Sequence, residues 1–399
     1  MAIDAAIARW LIEPATRALR VEDALTQLVR RLGESGLALS RVGLSMPTLH
    51  PEIWVRRLTW ARDEGPRLRT PQHGLTAMVD YLDSPVAAIH AGSGPIRCRL
   101  RGPNADLRYA ICRQLADKGA TDYFCFPIEL SLAAHRTYMS LATDHPGGFT
   151  DDALAAVLAL APYISVWLEL KGAEDASRGL LEVYLGKLAA TRVLAGEVHR
   201  GTGVITHAAI WNCDLRGFTA MSDTLPASEV VAALDAYFEA VAGPIADHGG
   251  EVLKFIGDAV LAIFPVGPGA RKDACTRALA AATIALDAMA AQNVTRETQG
   301  KPRLDLGLAL HVGEVMFGNI GARERLDFTV IGAAVNEACR MESLCKTLGT
   351  PLVVSAPFAT AIGDATLIPL GEHRLRGVAS PQAVFTLPVY ATRALDHGV

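Results

Sequence analysis

Two apolar runs flank the dipeptide Gly257-Asp258, and this pattern limits more than any other how the chain can fold. The stretch EVLKFIGDAVLAIF, residues 251–264, is mostly apolar on both sides of that dipeptide and is interrupted by Lys254. Two β-like runs joined by a tight turn that contains glycine predict a largely buried antiparallel hairpin. A buried carboxylate and a buried ammonium are costly unless other groups compensate their charges. We therefore expect Asp258 and Lys254 each to have a ligand or a partner.

The overall composition is that of an ordinary soluble globular protein. The chain has 399 residues, enough for two or three domains, with 50% hydrophobic and 20% charged residues. Lys and Arg (38) nearly balance Asp and Glu (42), so the net charge of −4 gives no electrostatic reason to expect a nucleic acid or an anionic membrane as partner. The seven cysteines include no Cys-x-x-Cys pair, which is typical of a reduced cytosolic protein.

The chain shows no sequence that we interpret as a membrane segment. Its longest uncharged run, ALAAVLALAPYISVWL, extends from Ala153 to Leu168 and is interrupted by Pro162. A membrane-spanning helix needs about 20 apolar residues, so this run predicts a buried helix, which could lie at a dimer contact. Asp4, Arg9 and Glu13 argue against a signal peptide at the start. We expect a cytoplasmic protein without a membrane span.

The first part of the chain, residues 1–171, predicts an α+β module without a recognisable set of catalytic residue types. A helical stretch covers residues 172–202 and could connect this module rigidly to a third region, residues 203–399. Helical periodicity and apolar runs in the first region predict these elements: a helix in VEDALTQLVRRLGESG, strands in SRVGLSMPTL, YFCFPIELS and HRTYMSLAT, and a long helix that begins near Thr150.

From Val204 onwards the pattern predicts the order strand, helix, strand, strand, helix, strand. That order is typical of a ferredoxin-like palm, so the predicted fold class is α+β. In such a palm the first strand lies beside the central hairpin. Asp214, at the end of the first strand, would then lie close to Asp258 at the tip of the hairpin.

Two carboxylates that converge from adjacent strands could bind two divalent cations. Mg²⁺ prefers oxygen ligands and commonly takes one or two carboxylates together with substrate phosphates. The alternative is that Asp258 is only a turn residue after Gly257, which is common. These residues alone leave both interpretations open.

Three further segments carry polar residues that suit a phosphorylated substrate. The turn Gly217-Phe218-Thr219 exposes backbone N–H groups that could cradle phosphate oxygens, although glycine is frequent in such turns. Asn336 and Arg340 are four residues apart and share one face of a predicted helix, which could equally be a solvated face. Arg376, beside Gly377, could bind phosphate or be an ordinary surface arginine.

The segments DLRGFT, KFIGDAVLAIF, LDFTVIGAAVNEACRME and LRGVASP occur in the order and at spacings similar to those of class III nucleotide cyclases. The resemblance covers roughly Val204 to Tyr390, about half of the chain. It implies that Asp214 and Asp258 bind two Mg²⁺ or Mn²⁺ ions per active site, with the Leu215 carbonyl as a candidate further ligand.

The same resemblance implies roles for the remaining candidates. Lys254 and Thr329 occupy the positions that recognise the purine, and this pair is similar to that of members accepting adenine. Asn336 corresponds to the residue that orients the ribose, and Arg340 to the arginine that stabilises the transition state. The basic residue on the triphosphate corresponds to Arg376, and Arg323 is a candidate contact for pyrophosphate.

The chain departs from the family pattern at two places. Ala333-Ala334 stand where many bacterial members have Asp-Thr, which bears on the capping of the following helix. Trp211-Asn212-Cys213-Asp214 stands where Phe-x-Asp is usual, which bears on local packing. Neither departure replaces a residue that the resemblance assigns to chemistry.

The resemblance implies an adenylate cyclase that converts ATP into 3′,5′-cyclic AMP and pyrophosphate. In this family the purine side and the metal side of a site come from different subunits, which implies a homodimer. A guanylate cyclase and a catalytically silent module on the same fold are the alternatives. Lys254 and Thr329 argue against the first, and the retained aspartates and Asn/Arg pair argue against the second.

The N-terminal region, with its strands and the segment GGFTDDALAAV, faintly resembles a GAF-type sensory domain. This resemblance implies dimerisation and regulation by an unknown small-molecule or protein input. His50, His73 and His90 could be ligands, but lone histidines are more often structural.

Overall fold

The structure of the protein is a computed structural model that describes residues 5–47, 55–70, 81–131, 137–363 and 366–395. Contacts between residues divide the chain into two units, Met1–Leu180 and Leu181–Val399. The division into residues 1–171, 172–202 and 203–399 stays a prediction. His50 and His73 lie outside the described residues, whereas Nδ1 of His90 lies 2.9 Å from the Tyr81 hydroxyl.

The first unit combines a six-stranded sheet with helices. Its helices are α1 (Ala5–Ile12), α2 (Pro14–Ala18), α3 (Val21–Glu34), α4 (Pro85–His90), α5 (Ala110–Asp117) and most of α6 (Asp151–Leu185). Its strands are β1 (Arg41–Pro47), β2 (Val55–Ala61), β3 (Gly65–Arg69), β4 (Ile96–Arg99), β5 (Asp122–Ile128) and β6 (Thr137–Thr143). They pair antiparallel in the order β3-β2-β1-β6-β5-β4.

One face of this sheet packs against α1, α3 and α6. The buried cluster includes Leu28 of α3, Leu44 of β1 and Trp167 of α6. The predicted helix near Thr150 is confirmed as α6, which continues through Pro162. The predicted strands around 41–47, 122–128 and 137–143 are also confirmed. The other three strands were missed, because arginines interrupt the apolar alternation in two of them and the third is only four residues long.

The second unit contains the predicted palm and additional strands. Its elements are α7 (Lys187–Leu194), β7 (Gly203–Leu215), α8 (Phe218–Thr224), α9 (Ala227–Asp247), β8 (Glu251–Ile256), β9 (Ala259–Pro265), α10 (Arg271–Thr298), β10 (Leu306–Gly321), β11 (Leu326–Ile331), α11 (Ala333–Thr347), β12 (Leu352–Ser355), α12 (Ala356–Ile362), β13 (Ile368–His373), β14 (Gln382–Thr386) and α13 (Pro388–Leu395). The sheet order is β13-β14-β12-β10-β7-β9-β8, with β11 paired to β10. The strand order β10-β7-β9-β8 is that of a ferredoxin-like palm, as the sequence predicts.

The two faces of this sheet bury different helices. Side chains alternate along a strand, so odd and even positions of β7 point to opposite faces. Trp211 and Cys213 belong to a core cluster that includes α9, α10 and α12. Ala208 and Ile210 belong to a second cluster with Ala338 of α11. Even-numbered positions at the end of β7 therefore face α11.

Two helices in the described part of the chain are long and apolar enough to cross a membrane by length and composition, α6 and α10. Both contribute buried residues to the cores described above, among them Val157 of α6 and Ala281 of α10. Core helices of soluble proteins pass the same test, so this property is weak evidence for a membrane span.

Candidate active site

Asp214 and Asp258 come together where β7 ends beside the β8–β9 hairpin. Strands β7 and β9 pair up to Cys213 and Val260. Asp214 follows this last pair by one residue, and Asp258 precedes it by two, so the two aspartates lie at the same end of the paired strands. Gly257 makes the hairpin turn with a φ of +64°, a conformation that glycine adopts without strain. The Leu215 backbone N–H donates a hydrogen bond to the Asp258 carboxylate. Burial raises the pKa of Asp258, and the charge of Asp214 adds to that rise.

The donor atoms at this position suit a divalent cation. The Asp214 Oδ1 atom is buried and has no hydrogen-bond partner in the described part of the chain. Leaving such an oxygen unpaired is unfavourable, and a cation would both satisfy it and relieve the repulsion between the two carboxylates. The described residues hold no group of three or more His, Cys, Asp or Glu side chains that could bind a metal. Two carboxylates plus substrate phosphates therefore fit Mg²⁺ or Mn²⁺ better than a site built from protein ligands alone.

Arg216 and Glu342 surround Asp214, and sequence reasoning missed both. Arg216 Nη2 lies 2.8 Å from Glu342 Oε1, and Arg216 Nη1 lies 3.8 Å from Asp214 Oδ1. Glu342 is only 4% exposed. Burial raises the pKa of Glu342 to about 7, Asp214 adds to this rise, and Arg216 opposes it. Gly307 on β10 makes room for this arrangement, because a Cβ there would collide with the Arg216 guanidinium. Arg216 lies in the motif DLRGFT and Glu342 in the motif ACRME. Neither motif shows that the two residues contact each other across the sheet.

Helix α11 carries Asn336 and Arg340 on the side of the sheet that Asp214 faces. The helix follows Gly332, which provides no side-chain cap, in agreement with the departure at Ala333-Ala334. Asn336 is exposed and Arg340 is half-buried. The Arg340 guanidinium lies beside Gly377, where an added Cβ would be 3.4 Å from Nη2. The structure thus brings Arg340 to the turn that contains Arg376.

Lys254 and Thr329 lie near each other through a third residue, Asp327. Lys254 Nζ on β8 forms an ion pair with the Asp327 carboxylate on β11. Thr329 is two residues further along β11, so its side chain leaves the strand on the same face as Asp327. Thr329 is 7% exposed. Within its own chain, Lys254 thus contacts Asp327. Asp327 belongs to the LDFT motif, but the motif alone does not show that Lys254 is its partner.

The remaining candidates lie in or next to two turns, one directly after Arg216 and one between β10 and β11. Gly217, with a φ of +73°, precedes the seven-residue helix α8; Phe218 packs against the core and Thr219 is exposed. Arg323 is exposed in the turn between β10 and β11. Among the described residues, no hydrogen bond or ion pair joins Lys254 to the pair of aspartates.

Comparison with known proteins gives a match to this unit. Residues 204–356 match the family model described as adenylate and guanylate cyclase catalytic domain. Residues 204–356 thus resemble the catalytic domain of class III adenylate and guanylate cyclases. This region includes the aspartate pair, Lys254, Thr329 and the Asn336–Arg340 helix, whereas the turn of Arg376 follows the matched region.

Individual relatives of the cyclase domain carry names from both substrate classes. An adenylate cyclase of Anabaena cylindrica is 37% identical over 147 residues, which cover 36% of this chain and 28% of the relative. Adenylate cyclase 1 of Rhizobium meliloti is 32% identical over 186 residues, which cover 46% of this chain and 27% of the relative. The solved guanylyl cyclase Cya2 is 32% identical, with a TM-score of 0.42, and the match covers 46% of this chain and 93% of that one. The chain thus spans less than a third of the length of the Anabaena and Rhizobium adenylate cyclases.

Proposed function

We propose that the protein is an adenylate cyclase that converts ATP into 3′,5′-cyclic AMP and pyrophosphate. The observation that carries this proposal is the adjacency of Asp214 and Asp258, with a buried Asp214 oxygen that accepts no hydrogen bond from the described residues and has the Arg216 guanidinium only at 3.8 Å. A nucleotide cyclase needs divalent metal to activate the attacking hydroxyl and to neutralise phosphate charge, and these two carboxylates are the groups that would bind it.

The reaction joins the ribose 3′-oxygen to the α-phosphorus and breaks the bond to pyrophosphate. Asp214, Asp258 and the Leu215 carbonyl would hold two Mg²⁺ or Mn²⁺ ions, which supply positive charge for the phosphates and acidify the attacking hydroxyl. Arg340 donates hydrogen bonds to the α-phosphate oxygens, where negative charge builds as the new bond forms. Asn336 orients the ribose so that the 3′-hydroxyl faces the α-phosphorus.

The remaining polar groups bind the triphosphate. Arg376, in the turn beside the Arg340 guanidinium, neutralises phosphate charge, and Arg323 is the candidate contact for the leaving pyrophosphate. The backbone N–H groups of Gly217, Phe218 and Thr219 add uncharged donors. These donors would stabilise pyrophosphate as it separates from the α-phosphorus.

Lys254 and Thr329 favour adenine over guanine. An ammonium is a donor only, which suits the N1 acceptor of adenine and not the N1–H donor of guanine. The Thr329 hydroxyl can accept a hydrogen bond from the adenine 6-amino group. The ion pair with Asp327 holds the Lys254 ammonium at β11, the strand that carries Thr329. The names of the Anabaena and Rhizobium relatives support the same choice.

A homodimer would complete two equivalent sites, with Lys254 of one subunit opposite Asp258 of the other. Two adjacent exposed apolar side chains at the hairpin turn support such a contact: Phe255 is 52% exposed and Ile256 57%. Monomeric proteins seldom expose several large apolar side chains close together. Within the described part of the second unit Lys254 makes no bond to the aspartates, which is consistent with a site shared between chains.

The N-terminal region, residues 1–171, is a GAF-like regulatory and dimerisation domain in this proposal, and the protein is cytoplasmic. A six-stranded antiparallel sheet packed against helices supports a regulatory role for this region. The sheet has a hydrophobic core of its own, so the region can bind an input without contributing residues to catalysis. Its input is a small molecule or a protein.

The test is to incubate the purified protein with ATP or GTP plus Mg²⁺ or Mn²⁺ and to identify the products by chromatography and mass spectrometry. We expect cyclic AMP, formed faster than any cyclic GMP. A preference for GTP would support a guanylate cyclase instead. No cyclic product with either nucleotide and either metal would support a silent module and would contradict the proposal.

A further inference from the structure

The sheet of the N-terminal unit has a second face, opposite to α1, α3 and α6. Over β4, β5 and β6 this second face is covered by α4 and α5, with Ile89 and Leu115 buried against it. Over β1, β2 and β3 it forms a cavity of about 470 Å³. Six cationic and three carboxylate side chains line this cavity, which we name the arginine cavity: Arg41, Arg57, Arg62, Arg67, Arg69, Lys118, Asp63, Glu64 and Asp144.

The strand register places three of these arginines on one surface. Leu58 of β2 is buried in the core on the opposite face, so its neighbour Arg57 points into the cavity. Arg57 lies directly opposite Arg69 of β3, and Thr59 lies opposite Arg67. Like charges directly opposite each other on adjacent strands destabilise a sheet. A bound anion would remove that repulsion.

Two of the three carboxylates of the arginine cavity pair with two of its own arginines, Arg62 and Arg67. Arg62 makes two hydrogen bonds to Asp144, at 2.7 and 3.0 Å, and Arg67 lies 3.3 Å from Glu64. No carboxylate in the described part of the chain forms a hydrogen bond or an ion pair with Arg41, Arg57 or Arg69. The cavity therefore holds positive charge that its own carboxylates leave uncompensated.

Arg41 of β1 lies on the same face of the sheet as Arg57. Its neighbour Val42 and also Leu44 are buried in the core on the opposite face, so Arg41 points into the cavity. Gly43, on the cavity face of β1, pairs with both Thr59 of β2 and Ser140 of β6. Guanidinium groups held on three neighbouring strands can approach one ligand from several sides.

We propose that the arginine cavity binds a small molecule with two or more phosphate groups. Guanidinium groups match phosphate oxygens in pairs of hydrogen bonds, and several at one site favour a multivalent anion over a single carboxylate. The concave shape favours a small molecule over a nucleic acid, and the chain as a whole is negatively charged at −4. This inference does not depend on the cyclase activity.

The experiment uses inorganic pyrophosphate as the probe and the full-length protein in isothermal titration calorimetry. EDTA is present throughout, so that binding assisted by a divalent metal at Asp214 and Asp258 does not contribute. We compare the wild type with Arg57→Gln/Arg69→Gln. The matched control is Arg9→Gln/Arg30→Gln, which removes the same charge from helices α1 and α3, where these side chains are 83% and 66% exposed. Circular dichroism checks that both variants are folded.

We expect one pyrophosphate per chain in the wild type and in the control, and at least about tenfold weaker binding in Arg57→Gln/Arg69→Gln, because two charge-assisted contacts are lost. Loss of pyrophosphate binding in Arg323→Gln/Arg376→Gln, with binding retained in Arg57→Gln/Arg69→Gln, would assign the probe to the proposed cyclase site and overturn the proposal. Equal affinity in the wild type and the cavity variant, or no binding to the wild type, would overturn the proposal. Citrate binding as tightly as pyrophosphate would overturn the assignment to phosphate, and tight binding of single-stranded RNA alone would replace the small molecule with a nucleic acid.

Discussion

The Arg216 guanidinium lies 2.8 Å from the Glu342 carboxylate, in the space that Gly307 leaves open on β10. This ion pair connects the loop after β7 with helix α11. The connection matters because Asp214 is the second-to-last residue of β7, while α11 carries Asn336 and Arg340. Glu342 follows Arg340 by two positions on this helix, so the two side chains leave it in roughly opposite directions, and Arg340 stays available for the proposed substrate.

We predict that Gly307→Ala disturbs this pair and lowers cyclase activity. The new methyl group would collide with the Arg216 guanidinium, so the unfolding free energy should fall by roughly 1–3 kcal/mol, a typical cost of overpacking. Gly243→Ala is the control, because this helical glycine has nothing within 4 Å of an added Cβ. Urea denaturation and initial rates measure the two effects. A Gly307→Ala protein as stable and active as the control would show that the space is not needed.

The raised pKa of Glu342 predicts a pH-dependent difference in stability between the wild type and Glu342→Gln. In the native state Glu342 holds its proton up to about pH 7, whereas in the unfolded chain it loses it near pH 4.5. Ionising Glu342 is less favourable in the folded protein than in the unfolded chain. As the pH rises between these values, the unfolding free energy of the wild type should therefore fall by roughly 1–3 kcal/mol relative to that of Glu342→Gln.

The stability measurement is a denaturation series in EDTA from pH 4.5 to 8. The difference between the two proteins is compared because other groups titrate in the same range. One is His311, whose pKa burial lowers to about 4, and which changes stability in the opposite direction. A difference in unfolding free energy that stays constant with pH would show that Glu342 is ionised throughout.

Asp258→Asn should abolish turnover and leave the fold intact, because it keeps the shape of the side chain and removes the charge that would bind metal. We expect a loss of at least about 10²-fold in kcat. Mn²⁺ should raise the melting temperature of the wild type in the presence of a non-hydrolysable ATP analogue, and not that of the variant. The control is Asp223→Asn, an exposed aspartate on α8. Near-normal activity of Asp258→Asn at saturating Mg²⁺ would contradict the metal assignment.

Lys254→Glu with Thr329→Cys should lose the preference for ATP. Glutamate accepts hydrogen bonds where adenine N1 also accepts, so the ATP to GTP ratio of kcat/KM should fall by at least about tenfold. The introduced carboxylate would also face Asp327, whose cationic partner is removed, so we expect loss of ATP turnover more than gain of GTP turnover. An unchanged ratio would remove both residues from base recognition.

Co-expression of Asp258→Ala with Arg340→Ala tests the shared site. Each variant alone should be nearly inactive. In a mixed dimer one site receives both lesions and the other receives neither. With random mixing, about half of the dimers are mixed and roughly a quarter of wild-type activity should return. Mixed dimers confirmed by differential tags, without any recovery of activity, would contradict a site built from two chains.

Local pattern was sufficient for much of the architecture. The hairpin around Gly257-Asp258 and the long helix from Asp151 follow from apolar runs, a turn glycine and helical spacing. Strand β2, with the sequence VRRLTWA, was missed because Arg56 and Arg57 mask its alternation. The reason for each arginine lies in the tertiary structure: Arg57 lines the arginine cavity, and Arg56 forms an ion pair with Asp175 of α6.

By itself, the sequence determined the order of strands and helices in the palm, the cyclase motifs and the identity of the candidate site residues, because these depend on local periodicity and on residue types at short spacings. Only the tertiary structure decided which charges meet. Glu342 lies 126 residues after Arg216, and the two pair because β7, β10 and α11 pack in one order and Gly307 leaves the space between them. Lys254 finds Asp327 because β8 and β11 lie close together. Contacts of this kind depend on packing across a sheet, and no local pattern in the chain encodes them.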